Sequence, residues 1–196
     1  MKKTFLYIFV CLFIFDSIHA EAVTFPNGES CVAWKTDKTL FVVNKQSPVG
    51  INCKIELKIE QTNLGYVFEG KFPISGFNSN QEMRDKEVRK ILEEDIQPSL
   101  IFITNPISKV DWTKKKNSSF ELKGILKKGK KDFILSFFIY KELQNGNLTW
   151  KGLAKTKFSE LGMEAPKVAG GLITTVNDEL ELHFQFIETH INGFPK

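Results

Sequence analysis

The chain has 196 residues, one domain's worth, and 42% of them are hydrophobic, so it can bury a core of its own. A net charge of +4 is too slight to argue for nucleic acid as a partner. Three cysteines and three histidines without a C-x-x-C pair give no metal-binding pattern, and no metal is expected.

The first element is a leader over residues 1–22. Lys2 and Lys3 precede an apolar run, residues 5–15, and small residues follow at Ala20 and Ala22. That is the layout of a secretory signal peptide, cut after Ala20 or Ala22, and residues 23–196 are expected to fold as one domain. The apolar run is shorter than the roughly 20 residues a helix needs to cross a bilayer. The protein is therefore expected in a periplasm or outside the cell. Cys11 would leave with the leader. Cys31 and Cys53 remain, and an oxidising compartment makes a disulfide between them the natural expectation, with two free thiols on separate strands as the alternative.

Beyond the leader the sequence alternates with period two. "TLFVVN" (39–44) is a short β-branched run. "CKIELKIE" (53–60) puts Ile55, Leu57 and Ile59 on one face and charges on the other, the pattern of a half-buried antiparallel strand. "GYVFEGKFPI" (65–74) places Tyr66, Phe68, Gly70, Phe72 and Ile74 together. "SNQEMRDKEVRKILEEDI" breaks the rhythm and predicts one amphipathic helix over about 80–95, with Ser79 and Glu82 as a capping box, an apolar stripe of Met83, Val88, Ile91 and Leu92, and Pro98 as its stop. "SLIFIT" (99–104) is another strand. "FELKGILKKGKKDFILSFFIYKELQNGNLTWKGLA" (120–154) reads as three strands joined by turns at Lys128-Gly129-Lys130 and Asn145-Gly146, the latter a strong hairpin signal. Its middle strand, 133–140, is apolar on nearly every residue, so both of its faces need apolar cover. "ELELHFQF" (179–186) alternates Leu180, Leu182, Phe184 and Phe186 with polar residues. Asn63-Leu64-Gly65 and Asn177-Asp178 are further turn candidates.

About eight hairpin-linked strands favour a closed antiparallel barrel, which removes exposed edges, over a two-sheet sandwich. The helix would cover a sheet face or an end of the barrel. No nucleophile elbow, zinc-protease helix, phosphate-binding loop or dinucleotide fingerprint occurs, and His183 and His190 read as solvent-facing, so no catalytic residue and no cofactor are expected. The lysines at 114–116 and at 127, 128, 130 and 131 read as solvated turn residues, or as a basic rim for an anionic head group or membrane surface. The positive feature is 18 phenylalanines, several on the apolar strand faces. They would either fill the barrel or line a ligand cavity. Gly70, Gly124, Gly152 and Ala154 in the same strands favour gaps between the rings.

Four stretches carry a family resemblance. "RDKEVRKIL" from Arg84, "PSLIF" from Pro98, "FELKGILKKGKKDFIL" from Phe120 and "FSELGM" from Phe158 resemble, in order and spacing, segments of the YceI-like family, the exported polyisoprenoid-binding proteins. Two features depart from it. Phe158 stands where the family usually has arginine, and "SPVGIN" (47–52) is a poor counterpart of the family's opening strand. The resemblance implies an all-β fold, an eight-stranded antiparallel lipocalin-like barrel partly closed by the helix, with an isoprenoid or other lipid in its lumen. The lumen residues expected on that basis are Phe68, Phe72, Phe102, Phe120, Leu122, Phe133, Leu135, Phe137, Trp150, Phe184 and Phe186. The 133–140 strand would then face the lumen on one side and a helix or loop on the other. The partner expected is a long-chain apolar small molecule, with peripheral contact to an anionic membrane and a homodimer as further expectations. The alternative is a self-filled barrel acting as a protein-interaction or structural module.

Overall fold

A computed structural model describes residues 23–40, 44–168 and 174–195. The expected leader, 1–22, lies outside these residues, as do positions 41–43 of the "TLFVVN" run.

The described residues form one antiparallel sheet of eleven strands and two α-helices. In chain order these are β1 (Cys31–Leu40), β2 (Asn44–Gln46), β3 (Val49–Asn52), β4 (Glu56–Thr62), β5 (Gly65–Pro73), α1 (Glu82–Ile91), β6 (Ser99–Thr104), α2 (Lys109–Lys115), β7 (Phe120–Lys128), β8 (Lys131–Gln144), β9 (Asn147–Lys157), β10 (Lys167–Val168) and β11 (Thr174–Ile187). Eight strands have six or more residues; β2, β3 and β10 are short additions to β1 and β11. The class is all-β, and the ladder runs β2-β1-β11-β9-β8-β7-β6-β5-β4.

Alternation sets the curl. On β7, Phe120, Leu122, Gly124, Leu126 and Lys128 are buried, and the residues between them are mostly exposed. Rings from strands far apart in the ladder meet inside: Phe68 of β5 stacks on Phe186 of β11 with centroids 5.6 Å apart, and Phe137 of β8 lies 5.4 Å from Phe184 of β11. Between β4 and β1 no ladder forms among the described residues. That seam is crossed by other links. Asn192, past the end of β11, exchanges backbone hydrogen bonds with Leu57 and Ile59 of β4, at 3.1 and 2.7 Å. Ile51 of β3 pairs with Asn78, and a Cys31–Cys53 disulfide ties the start of β1 to the approach to β4. Closing a loop at the end of the β1–β3 ladder, this bond is expected to contribute about 3 kcal/mol. Cysteine-to-serine replacement at both positions should lower Tm accordingly, and an unchanged Tm would assign the seam to Asn192 and β3 alone.

The hairpin turns follow the sequence closely. Asn145 and Gly146 both take positive φ, 49° and 79°, as a two-residue turn with the sheet's own twist requires. Asn177-Asp178 makes no turn; both residues lie within β11. Asp178 instead accepts from the backbone N–H and the hydroxyl of Ser159, at 2.9 and 2.6 Å, and fixes the segment after β9. These hydrogen bonds hold its carboxyl below the ordinary range.

The glycines do not leave gaps. Gly152 faces Phe184 across β9 and β11, and a Cβ there would overlap the ring. Gly124 is likewise seated under the ring of Phe102. Each missing side chain lets an aromatic ring lie flat on the neighbouring strand.

Among the described residues no helix or loop lies over the outer face of 133–140, contrary to expectation. Ile134 is 83% exposed and Phe138 56%, with Tyr140 also exposed, because the parity that turns Leu135, Phe137 and Ile139 inward turns these three out.

Candidate ligand-binding cavity

Strand direction places the two helices at opposite ends of the sheet. β5 and β6 are antiparallel, so the β5–β6 link that carries α1 and the β6–β7 link that carries α2 lie at opposite ends. Between them is a cavity of about 480 Å³, within the roughly 300–1,000 Å³ usual for small-molecule sites.

The α2 end is stoppered by aromatic rings. Trp112 is buried and stacks on Trp150 of β9 at 5.8 Å, with Tyr66 and Phe194 edge-on at 5.9 and 5.6 Å. Its helix was not foreseen. It is short, but its start carries a readable sign: Ser108 accepts from the N–H of Asp111 at 3.1 Å and its hydroxyl donates to that carboxylate at 2.8 Å, the S-x-x-D pattern of a capped terminus.

The α1 end is open to solvent. Gln81, Met83 and Glu87 line the cavity and are exposed, Met83 at 82%. α1 falls inside the expected span, but Gln81, not Ser79, precedes its first turn, and no side chain caps it. Ser79 instead donates its N–H and hydroxyl to Asp85, at 3.0 and 2.5 Å. Of the expected stripe, Val88, Ile91 and Leu92 roof the cavity. The far end of α1 is anchored by Glu93, in left-handed conformation with φ 60°, which reaches Lys128 at 3.2 Å.

Lys128 corrects the reading of the basic turn. It is 1% exposed on the inner face of β7, paired with Glu93, its ammonium 5.9 Å from the Phe133 ring. Breaking one partner of such a pair leaves a buried charge uncompensated. Lys127 is taken up by Asp132 at 3.3 Å. The lysines at 114–116 end α2, at the other pole of the sheet, so the two groups do not form one rim.

Of the eleven residues expected in the lumen, ten line the cavity: Phe68, Phe72, Phe102, Phe120, Leu122, Leu135, Phe137, Trp150, Phe184 and Phe186. Phe133 does not. Beside the β7–β8 turn, its ring packs toward Gly162 and Lys128. The sequence reading also omitted wall contributed by distant segments: Phe158, Leu161 and Met163 after β9, Val88 and Leu92 of α1, and Trp34 and Leu180 of β1 and β11. Trp34 and Trp112 present buried indole N–H groups that find no acceptor among the described residues. The two sulfurs that approach Glu29 are joined to each other, which removes both from metal ligation.

At one side of the cavity, where His183 reaches the wall, β11 carries a charged cluster. Glu181 meets Lys35 at 3.7 Å, Lys155 at 3.4 Å and His183 at 3.1 Å. His183 is mostly buried, with its side chain 19% exposed, where sequence parity had put it in solvent. Burial holds its pKa below 6.5, and the Glu181 hydrogen bond opposes that only in part. Burial works to raise Glu181, but His183, Lys35 and Lys155 outweigh it and leave the carboxyl low. With the folded His183 pKa depressed, the folded state takes its proton less readily than the unfolded chain, so stability falls as pH drops through 6.5 toward the folded value. Glu181 withdraws its share only as pH falls below 4.5 and on through its own folded value. Thermal melts should therefore show Tm falling between about pH 7.5 and 5.5 in the parent and staying level in His183→Gln.

Two solved structures share this architecture. Burkholderia cenocepacia BcnA aligns with TM-score 0.59 at 12% identity, covering 80% of this chain and 95% of its own. A polyisoprenoid binding domain from Saccharophagus degradans, implicated in plant cell wall breakdown, aligns with TM-score 0.57 at 8% identity, covering 80% and 94%. The chain shares its fold with these two proteins. A Campylobacter jejuni YCEI protein spans more of the chain, 95%, at 14% identity and TM-score 0.48. No protein-family model matches the sequence, and no curated protein matches it either. At these identities the likeness to BcnA and the Saccharophagus domain is one of fold. Among the described residues no helix is long and apolar enough to cross a membrane.

Proposed function

We propose that the protein is an exported binding protein that holds one long apolar ligand, an isoprenoid or acyl lipid, as carrier or reservoir. The observation that carries this reading is the ring-lined cavity of about 480 Å³, open at α1 and stoppered at α2. Each chain carbon taken from water adds about 0.8 kcal/mol, so about a dozen buried carbons support micromolar binding after ordering costs. Binding rather than catalysis fits a wall whose described carboxylate content is Glu87 alone. The polyisoprenoid binding named for the Saccharophagus domain is consistent with it. Export is supported by the leader-like sequence at 1–22 and by the disulfide.

A second reading rests on a different observation. Ile125 pairs with Ile134, and Phe138 with Leu153, on the uncovered outer face of β7–β9. The charges around them have both signs, with Glu121 beside Lys123 and Lys127 beside Asp132. A second copy related by a two-fold axis is the occupant such a self-complementary face fits.

One experiment addresses both readings. The mature protein, purified without detergent, is extracted with organic solvent, and the extract is analysed by mass spectrometry. A stoichiometric isoprenoid or acyl species is the expected result, with a lower Tm after delipidation. A clean extract together with a concentration-dependent dimer on a sizing column would replace the carrier with the interaction module.

A further inference from the structure

The open end of the cavity holds two cations with no ion-pair partner among the described residues. Lys38, near the end of β1, and Arg84, in the first turn of α1, both line it. Antiparallel pairing brings the end of β1 and the start of β11 to the same pole as the β5–β6 link that carries α1. Arg84 donates from Nη2 to the side-chain oxygen of Gln81 at 2.6 Å, but its Nε is buried with no acceptor among the described residues. Lys38 makes no ion pair among those residues. Burial and the neighbouring Arg84 charge hold its pKa below the usual lysine value, so the two cations feel each other directly.

The other charges at this end are otherwise engaged. Lys128 is consumed by Glu93, and Asp85 accepts from Ser79. Glu87 lines the same opening with its side chain exposed, and it makes no ion pair with Lys38 or Arg84 among the described residues. Two cations, one with a buried unsatisfied donor, face the opening of an apolar chamber.

We infer that Lys38 and Arg84 form a head-group clamp, so that the ligand is a long-chain anionic amphiphile bearing a phosphate or carboxylate rather than a neutral hydrocarbon or alcohol. This rests on the proposed apolar-ligand reading and specifies it. The chain occupies the ring-lined chamber, and the anion sits between the β1 lysine and the α1 arginine. Its oxygens accept from Arg84 Nε and Lys38 Nζ. A charged hydrogen bond of this kind separates anion from alcohol by about tenfold or more.

The test is displacement of the neutral fluorophore N-phenyl-1-naphthylamine from delipidated protein by hexadecanoate, hexadecyl phosphate and hexadecanol. One or both anions are expected to compete about tenfold or more better than the alcohol. Which of them does so identifies the head group as carboxylate or phosphate. Their advantage should shrink as salt rises and collapse in Lys38→Gln/Arg84→Gln. Equal competition by acid, phosphate and alcohol overturns the clamp and leaves the apolar cavity reading standing. Failure of all three to displace the fluorophore overturns both. A preference for anions that survives in the double variant removes it from these two residues. The salt dependence in the parent protein decides the matter even where the variant does not fold.

Discussion

Trp112→Ala is expected to destabilise the protein by about 3–5 kcal/mol, the range for removing a large buried aromatic side chain. The indole is 9% exposed, although its helix has only seven residues and no other buried side chain. A helix that short has little stability of its own in water. Its position comes from the ring contacts of Trp112 with Trp150, Tyr66 and Phe194. Truncation therefore removes both the buried area and the reason for α2 to dock. Urea titration reads the effect. A loss under about 1 kcal/mol would mean that α2 is held by its backbone links and the stopper is dispensable.

Leu122→Trp is expected to do the reverse, sparing the fold and abolishing binding. Leu122 is 8% exposed on the inner face of β7 and lines the cavity toward its α2 end. Overpacking a filled core costs about 1–3 kcal/mol, but here the added ring enters open space, so the cost should be smaller. The same space is lost to the ligand. Excluding even about four chain carbons forfeits about 3 kcal/mol, roughly a hundredfold in affinity. Fluorophore titration alongside a thermal melt separates the two effects. A folded variant that binds as the parent does would move the ligand out of the sheet interior.

The sheet was legible where local pattern decides the outcome. β7 to β9 have strict parity and an Asn-Gly turn, and the rings at 120, 137, 150, 184 and 186 face inward as their parity requires. Lys128 was legible in the same way, being two residues beyond Leu126 on the inward face, but its lysine-rich turn suggested solvent instead. Its burial depends on Glu93, 35 positions earlier, and no local pattern announces such a partner. Phe133 failed for the complementary reason. Its parity is inward, but at the strand's end the wall has stopped and the segment after β9 takes the ring. The outer apolar row, Ile134, Phe138 and Tyr140, was visible as a pattern, but what covers it is not a local property. The clamp residues were the least readable. Lys38 and Arg84 are 46 positions apart and meet only because the curl brings β1 to α1.

The tryptophan floor has one more consequence. With one pole blocked by stacked indoles and the other fringed by cations, a guest of the proposed kind would have a single direction of entry, and its far tip would come to rest on Trp112. The chamber thus works as a gauge. Along a homologous series, each added carbon should tighten the complex until the tip touches the floor, and further carbons should protrude past α1 into water and gain nothing.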